Sequence, residues 1–204
     1  MRQFRTIRRR HRTFRFRRSF RTPCLHRSHS CGSGTGSIQP QPAAWAASQP
    51  GVLPRSEPVT LEIPSIGVRT DLLRRGLRDN GTLEVPQDNG SGTPASWYNG
   101  SLTPGEQGPF VMLGHVNSPS GRGGVFADLR KLTPGADINV SRADGSTAVF
   151  TVDRGALYSK DSFPTLEVYG NTSGSELRLI TCDGYDPGTG LFDDNYVVFA
   201  KLKA

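Results

Sequence analysis

Beyond residue 58 the chain is punctuated at short, regular intervals. Thr60-Leu61-Glu62-Ile63 stops at Pro64, and residues 66–68 resume the extended run. Asp79-Asn80-Gly81 turns the chain into Leu83-Glu84-Val85, which Pro86 ends. Trp97-Tyr98 reads as a buried aromatic pair, and Thr103-Pro104-Gly105 turns into the apolar run Pro109-Phe110-Val111-Met112-Leu113. Residues 137–142 and 147–153 flank Ala143-Asp144-Gly145, a tight hairpin turn. Leu157-Tyr158 reads as another strand, Leu177 to Cys182 as a buried alternating one, and residues 195–202 as the closing strand. One short helical turn fits residues 126–132, while 159–175 form a long connection of the kind that is more often functional than idle. The domain predicted is mainly β, about eight short strands in a closed or nearly closed barrel with short helices.

The rest of the chain has another character. Residues 1–31 form an arginine-rich basic tail and 32–58 a Gly/Ser/Pro/Gln-rich linker, so the barrel domain is expected over 59–204. Residues 1–58 hold 12 of the 25 Lys and Arg but one of the 18 Asp and Glu. The net charge of +7 therefore divides into +11 for that segment and −4 for the remainder. A disordered arm of this kind can contact anionic surfaces by charge alone, but the mildly acidic domain predicts no specific nucleic-acid partner. No run of 18 or more apolar residues occurs, and no apolar core follows the charges as a secretory leader requires. Cys24, His26, His29 and Cys31 lie close together in the tail, yet their spacing fits no zinc pattern, and neither a metal nor a cofactor is expected.

One cysteine and one histidine remain beyond residue 58, Cys182 and His115. Each stands where a predicted core strand gives way to a polar segment, held by rigid backbone yet reachable. In the strand before the cysteine, Leu177, Leu179 and Thr181 share one face, and Arg178, Ile180 and Cys182 the other. The thiolate is the nucleophilic form of cysteine, and an adjacent imidazole can generate it and later protonate a leaving amine. Placement alone leaves the alternative of an inert, buried thiol open.

The residues around the pair resemble a known family. Leu113-Gly114-His115-Val116 followed by Leu179-Ile180-Thr181-Cys182 is similar to the two signatures of the sortases. The class F group is resembled most, through Leu61-Glu62-Ile63-Pro64, Ile66-Gly67-Val68, Val85-Pro86, Trp97-Tyr98, Pro104-Gly105, Val125-Phe126, Phe163-Pro164 and Asp194-Asn195. The resemblance covers about residues 59–204. It implies an eight-stranded sortase barrel and a cysteine transpeptidase located at the cell surface. Its substrate would be an LPXTG-like signal of a secreted protein, cleaved at Thr–Gly through an acyl-thioester and passed to an amine acceptor such as a cell-wall precursor. Cys182 would be the nucleophile and His115 the general acid/base.

The resemblance also implies an arginine just before Asp194-Asn195, where this chain has Asp193. A carboxylate offers no hydrogen to an oxyanion and repels its charge. Arg178 shares the cysteine's face and is the substitute nearest in the strand, four residues back; Arg122 and Arg154 would have to approach through loops. Asp183 adds a second negative charge next to the thiol. A catalytically impaired barrel acting as a peptide-binding module is the alternative expectation.

Overall fold

The computed structural model describes residues 51–87, 93–117 and 122–203. The tail, its Cys/His cluster and most of the linker lie outside the described residues. Nine strands form one sheet: β1 (Pro58–Ile63), β2 (Val68–Asp71), β3 (Leu73–Arg75), β4 (Ser96–Tyr98), β5 (Gly108–Leu113), β6 (Asp137–Arg142), β7 (Thr147–Ser159), β8 (Ser175–Asp186) and β9 (Leu191–Leu202). Their order is β2-β1-β6-β7-β9-β8-β5-β4-β3. The two edge strands are consecutive in the chain, separated by Leu72 alone. The Leu72 N–H bonds the Val59 carbonyl (2.9 Å), and the Leu73 N–H bonds the Ala95 carbonyl (3.0 Å). The barrel is thus nearly closed, and the chain itself spans the remaining seam.

Alternation divides the side chains into two buried sets. Leu61, Ile63, Phe110, Met112, Ile138, Val140, Phe150, Leu177, Leu179 and Val198 point inward and form the main core. Phe110 lies between Trp97 and Phe150, with ring centroids 6.5 and 6.4 Å away. On the outer face Val111, Ile180, Val197 and Phe199 form a second cluster. It is covered by Val168 from the helix α1 (Thr165–Tyr169), with Phe163 and Tyr169 alongside.

Several expectations need adjustment. The stretches read as separate strands at 147–153 and 157–158 are one strand, β7, carrying a bulge between Val152 and Arg154. The extra residue reverses the alternation. Phe150 and Val152 face the main core before the bulge, whereas Ala156 and Tyr158 face the outer cluster after it. Leu83 makes only an isolated bridge with Leu77, so 83–85 is not a sheet strand, while β3 was not anticipated. The long connection at 159–175 contains a 3₁₀ turn (Lys160–Ser162) as well as α1. Ordered packing also begins before residue 59. Leu53 packs on the core, its N–H bonded to the Gly105 carbonyl (2.8 Å), and the Ser56 N–H bonds Thr103 Oγ1 (3.1 Å).

The 143–145 turn is tied by charge. Arg142 is buried and contacts Ser146, Asp144 and the Pro54 carbonyl. The Asp144 carboxyl is held below its ordinary value, first by the Ser146 hydroxyl and then by the Ser146 N–H. A lowered folded-state pKa contributes stability that is present above the ordinary carboxylate range and lost as pH falls through the folded value. The stability gap between the wild type and Asp144→Asn should therefore narrow as pH is taken from 5 to 3; a constant gap in urea titrations contradicts this. In the core, Phe110→Ala should cost about 3–5 kcal/mol, seen as an earlier urea midpoint at unchanged slope.

Candidate active site

Strands β5 and β8 run parallel, with Phe110 opposite Leu177 and Leu113 opposite Ile180. The pairing persists beyond Leu113. The Gly114 N–H bonds the Ile180 carbonyl (3.2 Å), and the Thr181 hydroxyl bonds the Gly114 carbonyl (2.9 Å). His115 follows Gly114 and Cys182 follows Thr181, so each stands one residue beyond this hydrogen-bonded pair. On the other flank β9 pairs Asn195 with Cys182, and β7 pairs Tyr158 with Asn195. Tyr158, Asn195 and Cys182 are therefore aligned across the outer face, on strands that pair side by side. The row below it is Ala156, Val197, Ile180 and Leu113, an apolar floor.

Cys182 is accessible for a different reason from the one expected. Its strand does not end there; β8 runs on to Asp186, past Gly184 in a left-handed conformation (φ 64°). A side chain at Gly184 would meet the Asp194 carboxylate at 2.4 Å. It is the neighbouring strand β5 that stops, at Leu113. The thiol is half-buried in consequence.

The backbone of His115 is clamped from behind. Its carbonyl accepts from the Phe126 N–H (2.9 Å), and the Val116 carbonyl accepts from the Gly124 N–H (3.0 Å). A Cβ on Gly124 would lie 2.2 Å from the His115 oxygen, and one on Gly114 would lie 2.5 Å from the Phe126 ring. Both glycines are needed for this close approach. At the ring, Nε2 lies 2.8 Å from the Pro86 carbonyl oxygen. A carbonyl only accepts, so Nε2 carries the proton and Nδ1 is the basic nitrogen of the neutral ring. The segment that holds Pro86 also borders a cavity of about 420 Å³ lined by Leu73, Arg75, Glu84, Val85 and Thr93 among others; neither Cys182 nor His115 lines it.

The charges separate by face. Asp183, beside the thiol in sequence, points to the inner face and pairs with Arg130 at 2.5 Å. That hydrogen bond raises the Arg130 pKa, and the guanidinium also lies over the Tyr196 ring at 5.4 Å. Arg178 is buried and committed elsewhere, paired with Glu176 (2.7 Å) and stacked on Phe199 (4.5 Å). Arg154 stacks on the same ring at 3.7 Å and pairs with Glu167 (2.7 Å). Asp193 is exposed. The cation recorded at the thiol itself is Lys160, whose Nζ lies 3.8 Å from Cys182 Sγ and donates to the Phe192 carbonyl. Asn195, opposite the cysteine, is 2% exposed, and its Oδ1 has no hydrogen-bond partner. Lys160 was not singled out from the sequence, and Pro86 and Asn195 appear there only within the motifs of the resemblance, with no role at Cys182 or His115; tertiary packing brings them there.

The profile of the Sortase domain family matches residues 61–203. The chain belongs to the sortase family. The fold is also that of solved sortases. It is similar to sortase A from Corynebacterium diphtheriae at 17% identity and TM-score 0.55, over 74% of this chain and 62% of that one. Sortase C-1 from Actinomyces oris is 21% identical with TM-score 0.54, over 72% of this chain and 73% of that one. Sortase C1 from Streptococcus agalactiae is 23% identical with TM-score 0.54, over 72% and 67%. No curated protein matches the chain. The chain thus spans less than two thirds of the Corynebacterium protein.

The packing behind the histidine can be tested through its glycines. Gly114→Ala should destabilise the sortase domain by about 1–3 kcal/mol, the usual cost of forcing extra atoms into a packed core. Gly174→Ala, where a Cβ meets nothing within 4 Å, should leave the thermal midpoint nearly unchanged. Equal midpoints for the two variants would contradict the clamp.

Proposed function

We propose that this sortase is a cysteine transpeptidase of the class F type. It cleaves an LPXTG-like sorting signal of a secreted protein between Thr and Gly and transfers the Thr carbonyl to an amine, such as that of a cell-wall precursor. The observation that supports this reading is the parallel pairing of β5 and β8, whose Thr181–Gly114 hydrogen bond stands one residue before the one cysteine and the one histidine beyond residue 58.

His115 takes the thiol proton on Nδ1, the nitrogen left basic by the Pro86 contact. The Cys182 sulfur attacks the threonine carbonyl carbon and a C–S bond forms. The tetrahedral adduct collapses, the Thr–Gly C–N bond breaks, and the imidazolium returns its proton to the departing glycine amine. The acceptor amine then attacks the thioester and gives up a proton to His115. The sulfur leaves and recovers that proton. No cofactor or metal enters the cycle.

Such a reaction belongs at the outer cell surface, and the arginine-rich arm supplies a charge-based contact to anionic surfaces there. No helix among the described residues is long and apolar enough to cross a membrane. A second reading, a barrel that binds peptides without cleaving them, is favoured by Asp193 and its lack of donor hydrogens. Intact-mass measurement of the full chain incubated with an LPXTG-type peptide decides between them. The expected result is a covalent adduct that disappears in Cys182→Ala and forms about 10²–10⁴-fold more slowly in His115→Gln. Peptide binding by titration with no adduct across several signal peptides favours the second reading.

A further inference from the structure

We propose that Lys160 is the catalytic cation of this site, supplying from the β7–β8 connection the positive charge that no arginine on β9 provides. The inference rests on the acyl-transfer reading of Cys182 above. Its ammonium lies 3.8 Å from the reacting sulfur and donates to the Phe192 carbonyl, immediately before Asp193. A cation carried on another element thus arrives beside the backbone position where an arginine was expected.

The local structure accounts for its placement. β7 ends at Ser159, opposite Asp194, and Lys160 opens the 3₁₀ turn that follows. The Ser159 hydroxyl accepts the Asp161 N–H at 3.3 Å and fixes the start of that turn. From there the lysine side chain passes the beginning of β9 to reach the sulfur on β8. The ammonium has three N–H donors. The Phe192 carbonyl occupies one, so others remain for the sulfur and for the carbonyl oxygen that becomes negative in the tetrahedral adduct.

The arginines near this face are engaged otherwise. Arg154 and Arg178 stack on Phe199 and pair with Glu167 and Glu176, and Arg130 is bound to Asp183 on the inner face. No ion pair with a carboxylate is seen for Lys160 among the described residues, so its charge is not cancelled at contact distance. Asn195 adds a buried, neutral amide directly opposite the cysteine, and its Oδ1 takes no hydrogen bond from the ammonium. A lysine is a point charge without the bidentate fork of arginine. Charge retention in Lys160→Arg is therefore expected to preserve part of the function that its removal in Lys160→Met loses.

Two measurements on the full chain test this. The first needs no substrate: the alkylation rates of Cys182 by anionic iodoacetate and neutral iodoacetamide, with Cys24 and Cys31 replaced by Ser. A cation at the sulfur favours the anion, and the iodoacetate-to-iodoacetamide ratio should fall about fivefold in Lys160→Met, the Boltzmann factor for one unit charge about 4 Å away in water. Lys160→Arg should retain the ratio. The second is turnover of an LPXTG-type peptide. Lys160→Met should lower kcat about 10²–10³-fold, as loss of an oxyanion donor does, with KM changed by less than about threefold; Lys160→Arg should recover part of the loss. An unchanged alkylation ratio overturns the proposal, as does a wild-type kcat in Lys160→Met while the wild type turns over. If the wild type forms no adduct with any signal peptide, the acyl-transfer reading fails first and the catalytic role of Lys160 goes with it.

Discussion

The parallel pairing of β5 with β8 is the constraint on which the site depends. Parallel strands run to the same edge, so the residue just past the end of β5 becomes a neighbour of one inside β8 although they are 67 positions apart, as the Thr181 to Gly114 hydrogen bond records. β5 is buried at every residue, and β8 from Leu177 to Thr181. A slip of one residue would move Leu177 and Leu179 out of the core and turn Cys182 away from the outer face. The hydrophobic pattern that folds the barrel therefore also fixes which side chains meet at its rim.

A second device, the β7 bulge, gives that rim a wall. Without the extra residue, Ala156 and Tyr158 would face the side occupied by Phe150 and Val152. With it, one strand serves the main core at its start and the outer face at its end. Tyr158 then meets Phe163 edge-on at 5.9 Å and bonds Glu167 at 2.8 Å, fastening α1 over the outer face. The same change of phase brings the end of β7, and thus Lys160, to the side where the thiol stands.

Much of this was legible in the residues, and the parts that were not have physical causes. Alternation at 177–182 divided the faces of β8 as observed, and the apolar run at 109–113 marked the buried strand. The bulge read as a strand end because alternation loses phase at a bulge just as it does at a turn. Leu83-Glu84-Val85 has strand composition but no ladder to join, and composition does not report partners. The docking of Leu53 and Ser56 was hidden in a stretch whose Pro and Ser content reads as linker, because its hydrogen bonds go to residues about 50 positions away. The surroundings of Lys160 and Asn195 were invisible for a related reason. Their significance lies in what the fold brings against them, the sulfur for one and the cysteine's strand for the other, and that is a tertiary property.

The expectation that two aspartates would burden the thiol changes once the faces are known. Asp183 is adjacent to Cys182 in sequence, but consecutive strand residues project to opposite sides of a sheet. Its charge is met there by Arg130, and the backbone ladder of β8 and β9 stands between that ion pair and the sulfur. Asp193 shares the parity of Asn195 and so the thiol's side, but it is exposed, where solvent screens it. Lys160 has its ammonium 3.8 Å from the sulfur and is half-buried. At comparable charge the nearer and less solvated group dominates the local field. In the role proposed for Lys160, the ammonium 3.8 Å away governs the field at Cys182 Sγ, and an arginine on β9 is not required for the site to be electropositive.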